Sequence, residues 1–183
     1  MTATTTMGTG NGSAADVLPK IYNGVVKSGN LAPKSVSGSK LVNSPVIVTS
    51  STVSVSADDH AQRTIVLKRA AGITVTLPAA IGSGNKYTFV IGTTVTSNSC
   101  VIKVANANDS MVGRAIAPAD GGSSVNGWEV TSGQDTITLN GGTTGGYVGD
   151  TIELIDVADN IFVVNAFLAQ TAAEATPFSS TVS

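Results

Sequence analysis

The sequence predicts an all-β fold, an antiparallel β-sandwich or jelly-roll-like barrel preceded by an extended N-terminal arm. Three observations lead there. The first is the stretch 71–78, AGITVTLP, in which Ile73, Val75 and Leu77 point one way and Thr74 and Thr76 the other. That period of two describes a half-buried strand, and Gly72 and Pro78 punctuate its ends. The second is composition: only 12% of the 183 residues are charged and 4% aromatic, against about 25% charged in ordinary soluble domains. Val and Thr, which favour strands, and Ser and Gly, which favour turns, fill the deficit. The third is recurrence, since short alternating segments separated by turn residues continue along most of the chain, without a long amphipathic helical stretch.

Taken in order, residues 1–15 are Thr, Gly, Ser and Ala without periodicity and read as a flexible start to the arm. Residues 16–45 carry short apolar pairs, among them Val17-Leu18, Ile21-Tyr22 and Val25-Val26, separated by Lys, Gly, Asn, Ser and Pro. The segment is too interrupted for a helix. It reads either as an extended stretch that packs on a partner or as the first strand and loops of the domain that follows. Residues 46–170 are the β-domain, with strands expected at 46–48, 52–56, 64–68, 73–77, 87–92, 101–104, 128–131, 136–139, 151–157 and 161–167. Gly82-Ser83-Gly84-Asn85 and Ala158-Asp159-Asn160 are expected turns, and Asn126-Gly127 and Asn140-Gly141 are expected where tight hairpins need positive φ. Residues 171–183, rich in Thr, Ala and Ser, form a C-terminal tail that covers the surface or hangs free, with Phe178 available to pin it.

Charge excludes some functions. A net charge of −2 and a pI near 5.2 provide no basic field for a phosphate backbone, so no nucleic-acid partner is expected. No apolar run of about 18 residues suggests a membrane helix, and the first residues lack the basic and apolar regions of a secretory signal. Synthesis in a cytoplasm is therefore expected. The single cysteine, Cys100, cannot form an intramolecular disulfide and reads as a small core residue.

The candidate chemical constellations are weak. His60 follows Asp58-Asp59 but has no nucleophile in a recognisable context, and it reads as part of a solvated turn between strands. Asp150, Glu153 and Asp156 lack a calcium-loop signature and read as solvated strand edges, with Asp150 and Asp156 on one face and Glu153 on the other. Asn108-Asp109-Ser110 and Asp120-Gly121-Gly122 read as turns, and the glycosylation sequons at Asn11 and Asn108 have little meaning without a secretory signal. The glycine-rich run 141–146 lacks the Gly-Lys-Ser/Thr ending of a phosphate loop. Trp128 is one aromatic rather than a sugar site, and reads as a core or interface anchor. No catalytic residue, cofactor or metal site is expected.

The stretch TIVLKRAAGITVTLPAAIGSGNKYTFVIG, followed by the Ser97–Ser99 turn and Val101–Val104, resembles a segment found in small bacteriophage virion structural proteins. Asp135–Asn140 and Gly149–Leu154 resemble the same group, so the likeness spans roughly residues 52–168. It implies a non-enzymatic component of the virion, assembled in the host cytoplasm. At this length, and without shaft repeats, a capsid decoration (cement) protein on the outer head surface is the favoured member of that group. Its implied partners are the major capsid protein and further copies of itself, as a homotrimer. Val17, Leu18, Ile21, Tyr22, Val25 and Val26 are then the expected capsid or subunit contacts. The alternative is a head-fibre or tail-associated module that binds a host surface glycan.

Overall fold

The computed structural model describes residues 44–119, 122 and 124–182. The expected contacts at Val17, Leu18, Ile21, Tyr22, Val25 and Val26 lie outside these described residues. Among the described residues, twelve strands form two sheets over a single core, and one helical turn lies between two of the strands. The strands are β1 (Val46–Val48), β2 (Thr52–Ser54), β3 (Thr64–Leu67), β4 (Thr74–Thr76), β5 (Lys86–Ile91), β6 (Cys100–Lys103) and β7 (Ser110–Pro118), continuing with β8 (Val125–Glu129), β9 (Thr136–Leu139), β10 (Thr151–Ala158), β11 (Ile161–Phe167) and β12 (Phe178–Ser179). The helical turn, α1, spans Ala57–His60. One sheet has the order β1-β3-β5-β10-β11-β7-β8, the other β12-β9-β6-β4-β2. The protein is an all-β sandwich.

The strand direction differs from the expected antiparallel arrangement. Both sheets are mixed: β1–β3, β3–β5, β2–β4, β4–β6 and β7–β11 run parallel. The cause is the path of the first six strands. They alternate between the sheets, so each strand returns to its own sheet one position further along and in the same direction. Parallel neighbours need a crossover, and here the crossover runs through the opposite sheet. Hairpins come later, at β7–β8 and β10–β11.

Period-two alternation supplies the core. In β5, Tyr87, Phe89 and Ile91 point inward; in β10, Ile152 and Leu154; in β11, Phe162 and Val164. Val75, Ile102, Ile137 and Leu139 face them from the smaller sheet, all fully buried. Each such side chain contributes about 1.5–3 kcal/mol of burial.

Two turn expectations part ways. Gly141 does take a positive φ of 79°, whereas Asn126-Gly127 lies inside β8. The β7–β8 hairpin instead closes where Ala119 N–H donates to the Ser124 carbonyl at 2.9 Å. Residues beyond 170 also join the sandwich. Phe178 is buried and pairs with Ile137, and the Asp135 carboxylate accepts the Thr181 amide at 2.9 Å.

Candidate interaction surface

Of the three acids read as solvated, Asp150 and Asp156 are buried and serve the fold, while Glu153 is part-exposed on the opposite face, paired with Lys86. Asp156 accepts from Ile81 N and Gly82 N at Oδ1, and from Ser83 N and Ser83 Oγ at Oδ2, at 2.6–3.1 Å. Burial works against its charge, but the donors of the 81–83 loop outweigh it and hold its pKa below the ordinary carboxylate value. Asp150 accepts from Gly146 N, Tyr147 N and Ala169 N at 2.7–3.1 Å. There burial wins, and its pKa is raised despite the three amides. Asp109 is buried as well; its Oδ2 accepts from Ala80 N and from Asn106 Nδ2. Asp109 was legible as a turn residue, whereas Asp150 and Asp156 read as strand edges; the inward direction of all three was hidden, because a carboxylate that satisfies loop amides reads in sequence like one that faces water.

His60 corrects a second expectation. The 57–60 segment is a helical turn capped by Ser56, and the imidazole turns inward to accept from Ser56 N at Nδ1, 3.2 Å away. Cys100 is buried as expected, and burial pushes its thiol up to about 12, far from a reactive thiolate. Trp128 is half-buried against the core, and its indole N–H donates to Gln170 Oε1 at 3.1 Å. Among the described residues, no group of three or more His, Cys, Asp or Glu side chains is placed to hold a metal ion. No described helix is long and apolar enough to cross a membrane.

The unusual surface is the outer face of the seven-stranded sheet. Strand register arranges it in three rows. One runs Ile47, Val66, Val90, Thr151, Phe167, Ile116, Gly127 from β1 across to β8. The next runs Thr64, Thr88, Glu153, Asn165, Arg114, Glu129. The third runs Lys86, Ile155, Val163, Val112. A polar row with charges of both signs thus lies between two largely apolar rows. Ile47 and Phe167 are 59% and 63% exposed. Phe167 stands between two open grooves: one of about 300 Å³ along Thr88, Glu153 and Asn165, the other of about 420 Å³ towards Val125 and Val148.

The smaller sheet presents a different outer face, with Thr74, Thr76, Thr138 and Lys103 outward. An open cleft of about 310 Å³ lies at its end, lined by Thr52, Arg69, Asn98 and Ser99 among others. Arg69 Nη1 there donates to the Ala71 and Gly72 carbonyls. Comparison with protein-family models, with curated proteins and with solved structures finds no match to this chain.

Proposed function

We propose that this chain is a structural component of a bacteriophage particle: a capsid decoration (cement) protein that binds the outer head surface and stabilises it by non-covalent contact. The observation that carries this reading is the outer face of the seven-stranded sheet, where Ile47, Val112, Val125 and Phe167 stand exposed. Large exposed apolar side chains gathered on one face beside polar ones are a mark of protein contact sites. The disposition of the acids agrees with a non-enzymatic role, since Asp150 and Asp156 are occupied with loop amides. The resemblance of residues 52–168 to small virion proteins supplies the phage context. Many copies on one shell would add avidity to a modest single-site contact.

Purified full-length chain mixed with expanded, empty heads should co-sediment with them and raise their melting temperature. Heads that melt unchanged at saturating protein would defeat the reading. The reading also gives residues 1–45 a share of the capsid contact; if their deletion leaves occupancy unchanged, that share is nil.

A second reading, a head-fibre or tail module that binds a host glycan, is favoured by the polar cleft at Thr52, Arg69, Asn98 and Ser99. Trp128 lends it little, because the ring is half-buried and its N–H is engaged by Gln170. Binding of the purified chain to host cells, lost in Arg69→Ala, would favour this reading over cementing.

A further inference from the structure

We propose that the three-row face is where two copies of this chain meet, about a two-fold axis running along β11. The inference rests on the structural-protein reading, replaces the expected homotrimer with a dimer, and gives this face to self-contact, which leaves the head contact to residues 1–45 and the rest of the surface. Strand register supports it. Rotation about an axis parallel to β11, in the plane between two apposed faces, returns β11 to itself and exchanges β10 with β7.

In the polar row, Glu153 on β10 and Arg114 on β7 flank Asn165 on β11, one on each side. The rotation sets Glu153 of each copy over Arg114 of the other, and Asn165 over Asn165. A carboxamide carries both donor and acceptor, so two can pair with each other. In the apolar rows it sets Phe167 against Phe167, Val163 against Val163 and Ile155 against Val112. Rotation about an axis along the polar row itself would put Glu153 on Glu153 and Arg114 on Arg114. The charges therefore select the first axis.

Arg114 is exposed, and no carboxylate among the described residues lies within ion-pair distance of it; the one salt bridge among the described residues is Lys86–Glu153 at 3.1 Å. The face offers Lys86 and Arg114 against Glu129 and Glu153, a balance that suits a second copy better than a strongly acidic or basic partner. With the axis on β11, β5, β10, β11, β7 and β8 of the two copies overlap. Five strands spaced about 4.8 Å apart, and rows spanning roughly 20 Å along the strands, give about 480 Å² per copy. The total lies just below the roughly 1,200–2,000 Å² buried in stable interfaces, the size of a weak, concentration-dependent dimer. Twisted sheets pack face to face about 10 Å apart at an angle near 30°, within reach of Arg and Glu side chains.

Sedimentation of the full 183-residue chain across a concentration series, without capsids, tests the proposal. The expected species is a dimer. Arg114→Glu and Glu153→Arg should each weaken it by roughly 30-fold or more, and the double exchange should restore most of the affinity. Phe167→Glu should weaken it independently of those charges, while Ser54→Glu, on the other sheet, should leave it unchanged. Melting curves matching the wild-type chain establish that each variant is folded. A monomer at every concentration, a mass of three chains, or a double exchange no better than the single variants would overturn the proposal. A monomer that still coats heads defeats this inference and leaves the cement reading standing; a dimer that ignores heads does the reverse.

Discussion

Asp156 holds Ser83 by both its polar groups, accepting the amide at 3.0 Å and the hydroxyl at 2.6 Å on the same carboxylate oxygen. Ile81 and Gly82 donate to the other oxygen, so one buried side chain fixes the loop between β4 and β5. An asparagine there keeps one acceptor oxygen and places an NH₂ against donors. Asp156→Asn should cost about 1–3 kcal/mol at neutral pH. The folded-state pKa lies below the ordinary value of 3.8. Its stabilisation is therefore complete above that value and is lost as the pH falls through the lower, folded one. Urea unfolding at several pH values should show the deficit of the variant shrinking below pH 3.8. A constant deficit would contradict the assignment.

Asp150 should behave with the opposite sign. Its folded-state pKa is raised above 3.8 by burial, so the folded chain takes up a proton before the unfolded chain does. Acidification from neutral pH should therefore improve the wild-type chain relative to Asp150→Asn, most of the change coming as the pH falls through the raised value. The same unfolding series checks it; no relative gain on acidification would count against a desolvated Asp150.

Gly113 has a φ of 133° in β7, and a Cβ there would run into the backbone carbonyl of Val164 on β11. Both strain and collision oppose any side chain. Gly113→Ala should lower stability by about 2 kcal/mol or more, read as a shift in the denaturant midpoint. An unchanged midpoint would mean that the β7–β11 pairing is looser than described.

The Trp128–Gln170 bond ties β8 to the segment leading to β12, since Gln170 Nε2 also donates to the Ala175 carbonyl at 2.9 Å. Gln170→Leu leaves both partners unsatisfied and should cost about 1–2 kcal/mol. Trp128 is the only tryptophan, so its emission reports the site directly and should move to longer wavelength. Unchanged emission and stability would show the bond to be dispensable.

Alternation made most strands legible: 46–48, 136–139 and 161–167 fall where the pattern puts them. Strand direction was not legible, because a period of two is the same in parallel and antiparallel neighbours, and the alternation of β1–β6 between sheets leaves no local mark. β7, the longest strand, escaped for a different reason. After Met111 its inward positions are small, Gly113, Ala115 and Ala117, while Val112 and Ile116 point outward, which inverts the usual pattern. That inversion is also the clue to the interaction surface. In β11, Ile161, Val163 and Phe167 are apolar on the face opposite Phe162, Val164 and Ala166. A strand apolar on both faces is one that expects cover on both.

Electron microscopy of the intact particle, with this chain located by a fused tag or by difference against a deletion particle, tests the central claim most directly. The decoration reading predicts density for the sandwich on the outer surface of the head shell. Density confined to the tail would contradict it.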